Sequence, residues 1–208
     1  MLVFAKRGLV FLAVPKAAST SVETALEPFS DTSLPPEKFQ KHIPAQAFFH
    51  RWSNFRAGEQ RPEAFAVLRD PVDRMRSWYT YRQRPELDGT PNSTKGISFD
   101  AFIAEYLSAD PKPFAKFGNQ YRFCTDADGR HLVRYLFCYT QLQHLEAFLS
   151  ERFEQPIVLP RLNVSGATQH RLEPGLKAQL EVARRPEFDL YDSVAKAGWK
   201  TFETPFSR

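Results

Sequence analysis

Phe11-Leu12-Ala13-Val14-Pro15-Lys16-Ala17-Ala18-Ser19-Thr20-Ser21 passes from an unbroken apolar run into small and hydroxylated residues. Read outward, residues 9–14 predict a strand buried on both faces, as in the centre of a parallel sheet. Residues 15–21 predict a turn, and a helix follows over 19–26 with Val22, Ala25 and Leu26 spaced to face the sheet. The same order returns downstream. Residues 64–68 predict a strand ending at Arg69, and Asp70 stands as the cap of a helix whose first residue is Pro71. That helix is predicted to about Arg84, with Val72, Met75, Trp78 and Tyr79 as its apolar stripe. Strands alternating with helices predict an α/β fold with a mainly parallel central sheet flanked by helices.

Beyond these units the pattern predicts helices over 44–52, 98–107 (capped by Ser98), 142–153, 173–184 and 187–195, with strands over 134–138 and 157–159. Loops fall at 31–41, 85–97 and 110–119, the second exposed. No repeat or linker splits the chain, so residues 1–208 are expected to form one domain. With 42% apolar and 25% charged residues, the composition excludes a wholly disordered or collagen-like chain. The 19 phenylalanines predict an aromatic core.

Lys6-Arg7 before a short apolar run has the look of a signal peptide, with cleavage after 17–19. Pro15-Lys16 closes that run early, and its β-branched and aromatic residues read as a strand instead. No apolar stretch approaches the roughly 18 residues of a membrane span. Cys124 and Cys138 form neither a Cys-x-x-Cys pair nor a zinc quartet, which suits buried thiols in the reducing cytoplasm.

Net charge is +4, and the segment from Arg51 to Arg84 alone holds eight arginines and no lysine. Guanidinium groups fork onto phosphate or sulfate oxygens, so this points to an anion site; a solvated basic helix face gives the same count. No nucleic-acid-binding motif accompanies the charge, and no nucleic-acid partner is expected. In open parallel sheets ligands sit beyond the carboxyl ends of the strands, and two such ends here carry fitting residues. At the first, Ala17 and Ala18 allow backbone N–H groups close approach to an anion, with hydroxyls from Ser19, Thr20 and Ser21 and charge from Lys16. A Walker A loop is ruled out by the missing Gly-Lys-Ser/Thr core, while an ordinary capped turn uses the same residue types. At the second, Arg69 leaves the strand and Ser77 lies two turns into the helix, so that one phosphate can accept from both. Asp70 reads as a cap, and Arg74 as a brace paired with a carboxylate.

These two segments resemble the 5′- and 3′-phosphosulfate-binding motifs of sulfotransferases that use 3′-phosphoadenosine 5′-phosphosulfate (PAPS). The first is the apolar strand, Pro15-Lys16, two small residues, a Ser/Thr pair and a helix; the second is Arg69-Asp70-Pro71 with Arg74, Ser77 and Tyr79. Arg134-Tyr135-Leu136-Phe137, Asn163-Val164-Ser165 and Glu187-Phe188-Asp189-Leu190-Tyr191-Asp192 are similar to the C-terminal half of the carbohydrate-type and bacterial branch, so the likeness covers about residues 8–195. Ala17-Ala18 stands where many relatives have a glycine.

The resemblance implies a P-loop-like fold and transfer of a sulfuryl group from PAPS to an acceptor hydroxyl, with no metal required. By position it implies that Pro15, Lys16, Ala17, Ala18, Ser19, Thr20 and Ser21 hold the 5′-phosphosulfate, Lys16 acting on the leaving oxygen. It gives Arg69 and Ser77 the 3′-phosphate, and Asn163 and Ser165 a closing contact on the nucleotide. His42, between the two motifs, is the expected general base, with His50 as the fallback. Two other readings stand beside this one: a P-loop kinase or nucleotide hydrolase, and a nucleotide-binding module without catalysis. The loops at 31–41 and 85–97 are expected to shape the acceptor pocket, but neither names an acceptor.

Overall fold

Leu9 to Val14, the apolar run beside the first motif, forms the centre of the fold, each side chain at most 1% exposed. The computed structural model describes residues 1–31, 34–35, 37–56, 58–162 and 170–206. Five strands pair in chain order: β1 (Leu2–Phe4), β2 (Leu9–Phe11), β3 (Glu63–Leu68), β4 (Tyr135–Cys138) and β5 (Trp199–Thr201). The β2/β3 and β3/β4 pairs are parallel, whereas β1/β2 and β4/β5 are antiparallel. The sheet is therefore mixed, and the expectation of a mainly parallel sheet describes its three central strands alone. Both edge strands went unread because three residues carry no periodic signal. The first is turned back by Gly8 at φ 60°, a left-handed conformation that glycine adopts without strain.

Eight α-helices among the described residues flank the sheet: α1 (Ser19–Leu26), α2 (Ala45–Phe55), α3 (Pro71–Tyr81), α4 (Phe99–Tyr106), α5 (Gln120–Cys124), α6 (Gln143–Phe153), α7 (Pro174–Ala183) and α8 (Arg185–Ala195). Asp70 caps α3 by accepting from the Asp73 N–H at 2.8 Å, and Ser98 caps α4 by accepting from the Ala101 N–H at 3.1 Å. α5 was missed, because five residues are too short for a periodic stripe; its one signal is Asn119, which accepts from the Arg122 N–H.

Residues 157–159 do not form the expected strand. Side chains of α6 satisfy their backbone instead: Ser150 Oγ accepts from the Ile157 N–H and Glu146 Oε1 from the Leu159 N–H. The loop at 85–97 is exposed over much of its length, but Thr94 is buried and pins it to α3 by donating to the Tyr79 carbonyl.

Phenylalanine does fill the interior, with Phe4, Phe11, Phe48, Phe65, Phe102 and Phe137 fully buried. One apolar cluster lies on the sheet and a second joins α3 and α4 to Leu172 and Leu180. Both cysteines are buried free thiols. Among the described residues no helix is long and apolar enough to cross a membrane.

Candidate active site

Where β2 and β3 run out of the sheet, their exits meet in one cleft of about 460 Å³. Pro15, Lys16, Ala18, Ser19, Thr20 and Ser21 line it from the first exit, Arg69 and Ser77 from the second, and His42 from the connection between them. Segments more than fifty residues apart in the chain thus converge, with Arg69 Nη1 at 3.5 Å from the Lys16 carbonyl. Ala17 does not line the cleft: it is buried beneath the loop, with its N–H turned to the Val14 carbonyl. Asn163 and Ser165 lie outside the described residues.

The first loop is bent in a way its sequence does not advertise. Lys16 sits at φ 67° and Ala18, the residue before α1, at φ 56°. Left-handed residues within a few positions turn successive N–H groups to one side, a concavity suited to an anion at a helix N-terminus. A non-glycine residue in that region costs roughly 1 kcal/mol. Ala18 therefore carries strain at a position where a glycine would carry none.

Four cations, Lys16, Lys41, Arg69 and Arg84, and no carboxylate line the cleft among the described residues. Lys41 pairs with Glu23 at 2.6 Å, a carboxylate it shares with the N-terminal ammonium, also at 2.6 Å. Lys16 Nζ lies 3.5 Å from the centre of the Tyr81 ring and 5.2 Å from that of Trp78, while Arg69 lies over Tyr139. Burial, then repulsion from Arg84, Arg69 and Arg82, pushes the Lys16 ammonium down to about 7. A phosphate beside it would raise that value again, so above pH 7 such a ligand must bring a proton. Affinity for a phosphate ligand is expected to fall by up to about tenfold per pH unit above neutrality and to level off below it. Calorimetry at about pH 8 in buffers of different ionisation enthalpy measures this uptake. Equal heats in all of them would contradict it.

His42 Nδ1 lies 2.7 Å from the Ala13 carbonyl. A carbonyl oxygen only accepts, so Nδ1 carries the hydrogen and the neutral ring keeps its lone pair on Nε2. His42 is itself exposed, but partial desolvation of its ring lowers its pKa and favours this neutral form. His50 is elsewhere: it is exposed on α2, with its Nε2 at 3.4 Å from Asn54, and does not line the cleft.

The eight arginines divide by task, and only Arg69 and Arg84 line the cleft. Arg74 is 2% exposed and donates from Nε to the Pro15 carbonyl and from Nη2 to that of Gly118, with Glu187 Oε1 at 3.6 Å. It is the brace expected from the sequence. Arg82, also buried, holds the Pro113 and Lys116 carbonyls. Trp78 keeps its expected place in the apolar stripe, packed partly buried against the second cluster and stacked on Phe117, and it also borders the cleft. Arg84 borders it as one of the eight arginines read as an anion site, whereas Tyr81 and Tyr139 went unread, since nothing local marks them as facing a ligand.

A sulfotransferase family model matches residues 1–179, most of the chain and both strand exits. The chain belongs to the sulfotransferase family. No curated protein matches its sequence. A second recess of about 380 Å³ adjoins the cleft of this sulfotransferase, sharing Ala18, Ser21, Tyr139 and Leu162 with it. Of the loops expected to shape an acceptor pocket, 31–41 contributes Lys41 alone among the described residues and 85–97 contributes nothing to the cleft. Among the described residues no three His, Cys, Asp or Glu side chains gather as a metal site would.

Proposed function

We propose that this sulfotransferase moves a sulfuryl group from PAPS to an acceptor hydroxyl, within a P-loop-like fold. The observation that carries the reading is the convergence of Lys16 with the strained α1 loop and of Arg69 with Ser77 on one cleft that no carboxylate lines among the described residues. A donor with a 5′-phosphosulfate and a 3′-phosphate needs two separate anion sites, and the two strand exits supply them. When bound, PAPS supplies an activated sulfuryl group: a bond from the acceptor oxygen to sulfur forms as the bond from sulfur to the 5′-phosphate oxygen breaks.

The α1 N-terminus and the hydroxyls of Ser19 and Thr20 hold the 5′-phosphosulfate, and Lys16 stabilises the charge that grows on the leaving oxygen. Arg69 and Ser77 hold the 3′-phosphate, and the recess beyond Tyr139 takes the nucleoside. His42 Nε2 takes the acceptor proton. His42→Ala is expected to lower turnover about a hundredfold, leave nucleotide binding intact and remove the acidic limb of the pH–rate profile. If His42→Ala keeps its turnover, that role is lost.

Calorimetry with adenosine 3′,5′-bisphosphate, AMP and ATP with magnesium tests the reading without an acceptor. The bisphosphate is expected to bind about a hundredfold more tightly than AMP, or about 3 kcal/mol. Equal affinity would indicate a general nucleotide binder, and preference for ATP with magnesium a kinase.

A further inference from the structure

The parallel ladder between β3 and β4 ends at the pair Leu68↔Cys138. The next residue, Arg69, therefore leaves the sheet with peptide groups that β4 does not pair. A side chain takes the place of the missing strand. The Arg69 N–H donates to Gln120 Oε1 at 2.9 Å, and Gln120 Nε2 donates to the Arg69 carbonyl at 2.7 Å. One carboxamide thus clamps both peptide groups of the residue whose guanidinium enters the cleft.

Gln120 is itself anchored. It is 1% exposed at the start of α5, and its backbone N–H donates to Glu187 Oε1 at 2.8 Å. Glu187 belongs to α8, is 2% exposed, and lies beyond the matched residues 1–179. The same carboxylate oxygen faces Arg74, which holds the Pro15 carbonyl just before Lys16. A buried chain of polar contacts therefore joins the C-terminal helix to both loops of the cleft. Removing a group from it leaves peptide or charged atoms unpaired in the interior, where relaxation shifts the loop they belong to.

We infer that Gln120, anchored by Glu187, is a positioning residue that aims Arg69 at the 3′-phosphate. This rests on the proposed assignment of Arg69 and adds a determinant of 3′-phosphate specificity that never touches the nucleotide. The clamp acts on the Arg69 backbone, so its loss should fall on the 3′-phosphate contact and spare the 5′ site, which hangs on Arg74 and the α1 loop.

The test is the ratio of affinities for adenosine 3′,5′-bisphosphate and AMP, read by calorimetry, with thermal melting as the control for folding. In Gln120→Met, which keeps the length of the side chain and removes the clamp, the ratio is expected to drop at least about tenfold, with AMP affinity within about threefold of wild type. Glu187→Ala should lower the ratio in the same direction. Glu187→Gln, which retains an oxygen for the Gln120 N–H, should restore most of it. A folded Gln120→Met with the wild-type ratio overturns the inference, and so does an equal loss for both ligands, which marks a general structural role. Should Gln120→Met fail to fold, equal ratios in Glu187→Ala and Glu187→Gln overturn it instead. If wild type itself does not distinguish the two ligands, the assignment of Arg69 fails first, and the inference falls with it.

Discussion

Replacing Lys16 with alanine is expected to lower the rate of sulfuryl transfer about a thousandfold, or about 4 kcal/mol, while bisphosphate affinity falls far less. In the proposed reaction Lys16 faces a phosphate whose charge grows further as the bond to the leaving oxygen breaks, so its contribution to kcat exceeds its contribution to binding. Lys16 has a left-handed backbone, and its ammonium lies against the Tyr81 ring, with no salt bridge to it among the described residues. No carboxylate competes for it among the residues lining the cleft. Lys16→Arg should recover part of the rate, because the charge returns with a different reach and geometry. Single-turnover kinetics separates the two effects, and an unchanged kcat in Lys16→Ala would remove Lys16 from the chemistry.

Arg69→Ala should show the opposite split. The 3′-phosphate carries the same charge before and after transfer, so its contacts stabilise ground state and transition state alike. Loss of the guanidinium is expected to weaken bisphosphate binding by about 3 kcal/mol, more than a hundredfold, and to leave kcat at saturating donor nearly unchanged. AMP binding should scarcely move. Calorimetry with both ligands reads this directly, and an unaltered bisphosphate affinity would show that the second strand exit does not hold the 3′-phosphate.

Local signals made much of this fold legible. Short apolar runs bounded by Pro and polar residues gave β2 and β3, and the order Asp70-Pro71 gave the start of α3. The cleft was legible for the same reason, since residues at the carboxyl ends of neighbouring parallel strands must share an edge of the sheet. What stayed hidden depends on partners far away in the chain. β1 and β5 are strands only because β2 and β4 offer them an edge. The concentration of arginines pointed to an anion site, yet Arg74, read as a brace, and Arg82, which no local pattern set apart, spend their charge on backbone carbonyls of distant loops. Gln120 lies in a stretch without periodicity, and its partner Glu187 is 67 residues further on. Ala18 misleads in the other direction, because its sequence gives no sign of the left-handed conformation that the structure imposes.

Transfer itself can be watched by incubating the protein with PAPS and a panel of hydroxyl-bearing acceptors and weighing the products by mass spectrometry, with Lys16→Ala run alongside. One acceptor should gain the mass of a single sulfuryl group as adenosine 3′,5′-bisphosphate is released in equal amount, and the Lys16→Ala sample should fall about a thousandfold behind. Bisphosphate released at the same rate by both proteins, with every acceptor unchanged in mass, would contradict sulfuryl transfer at this cleft.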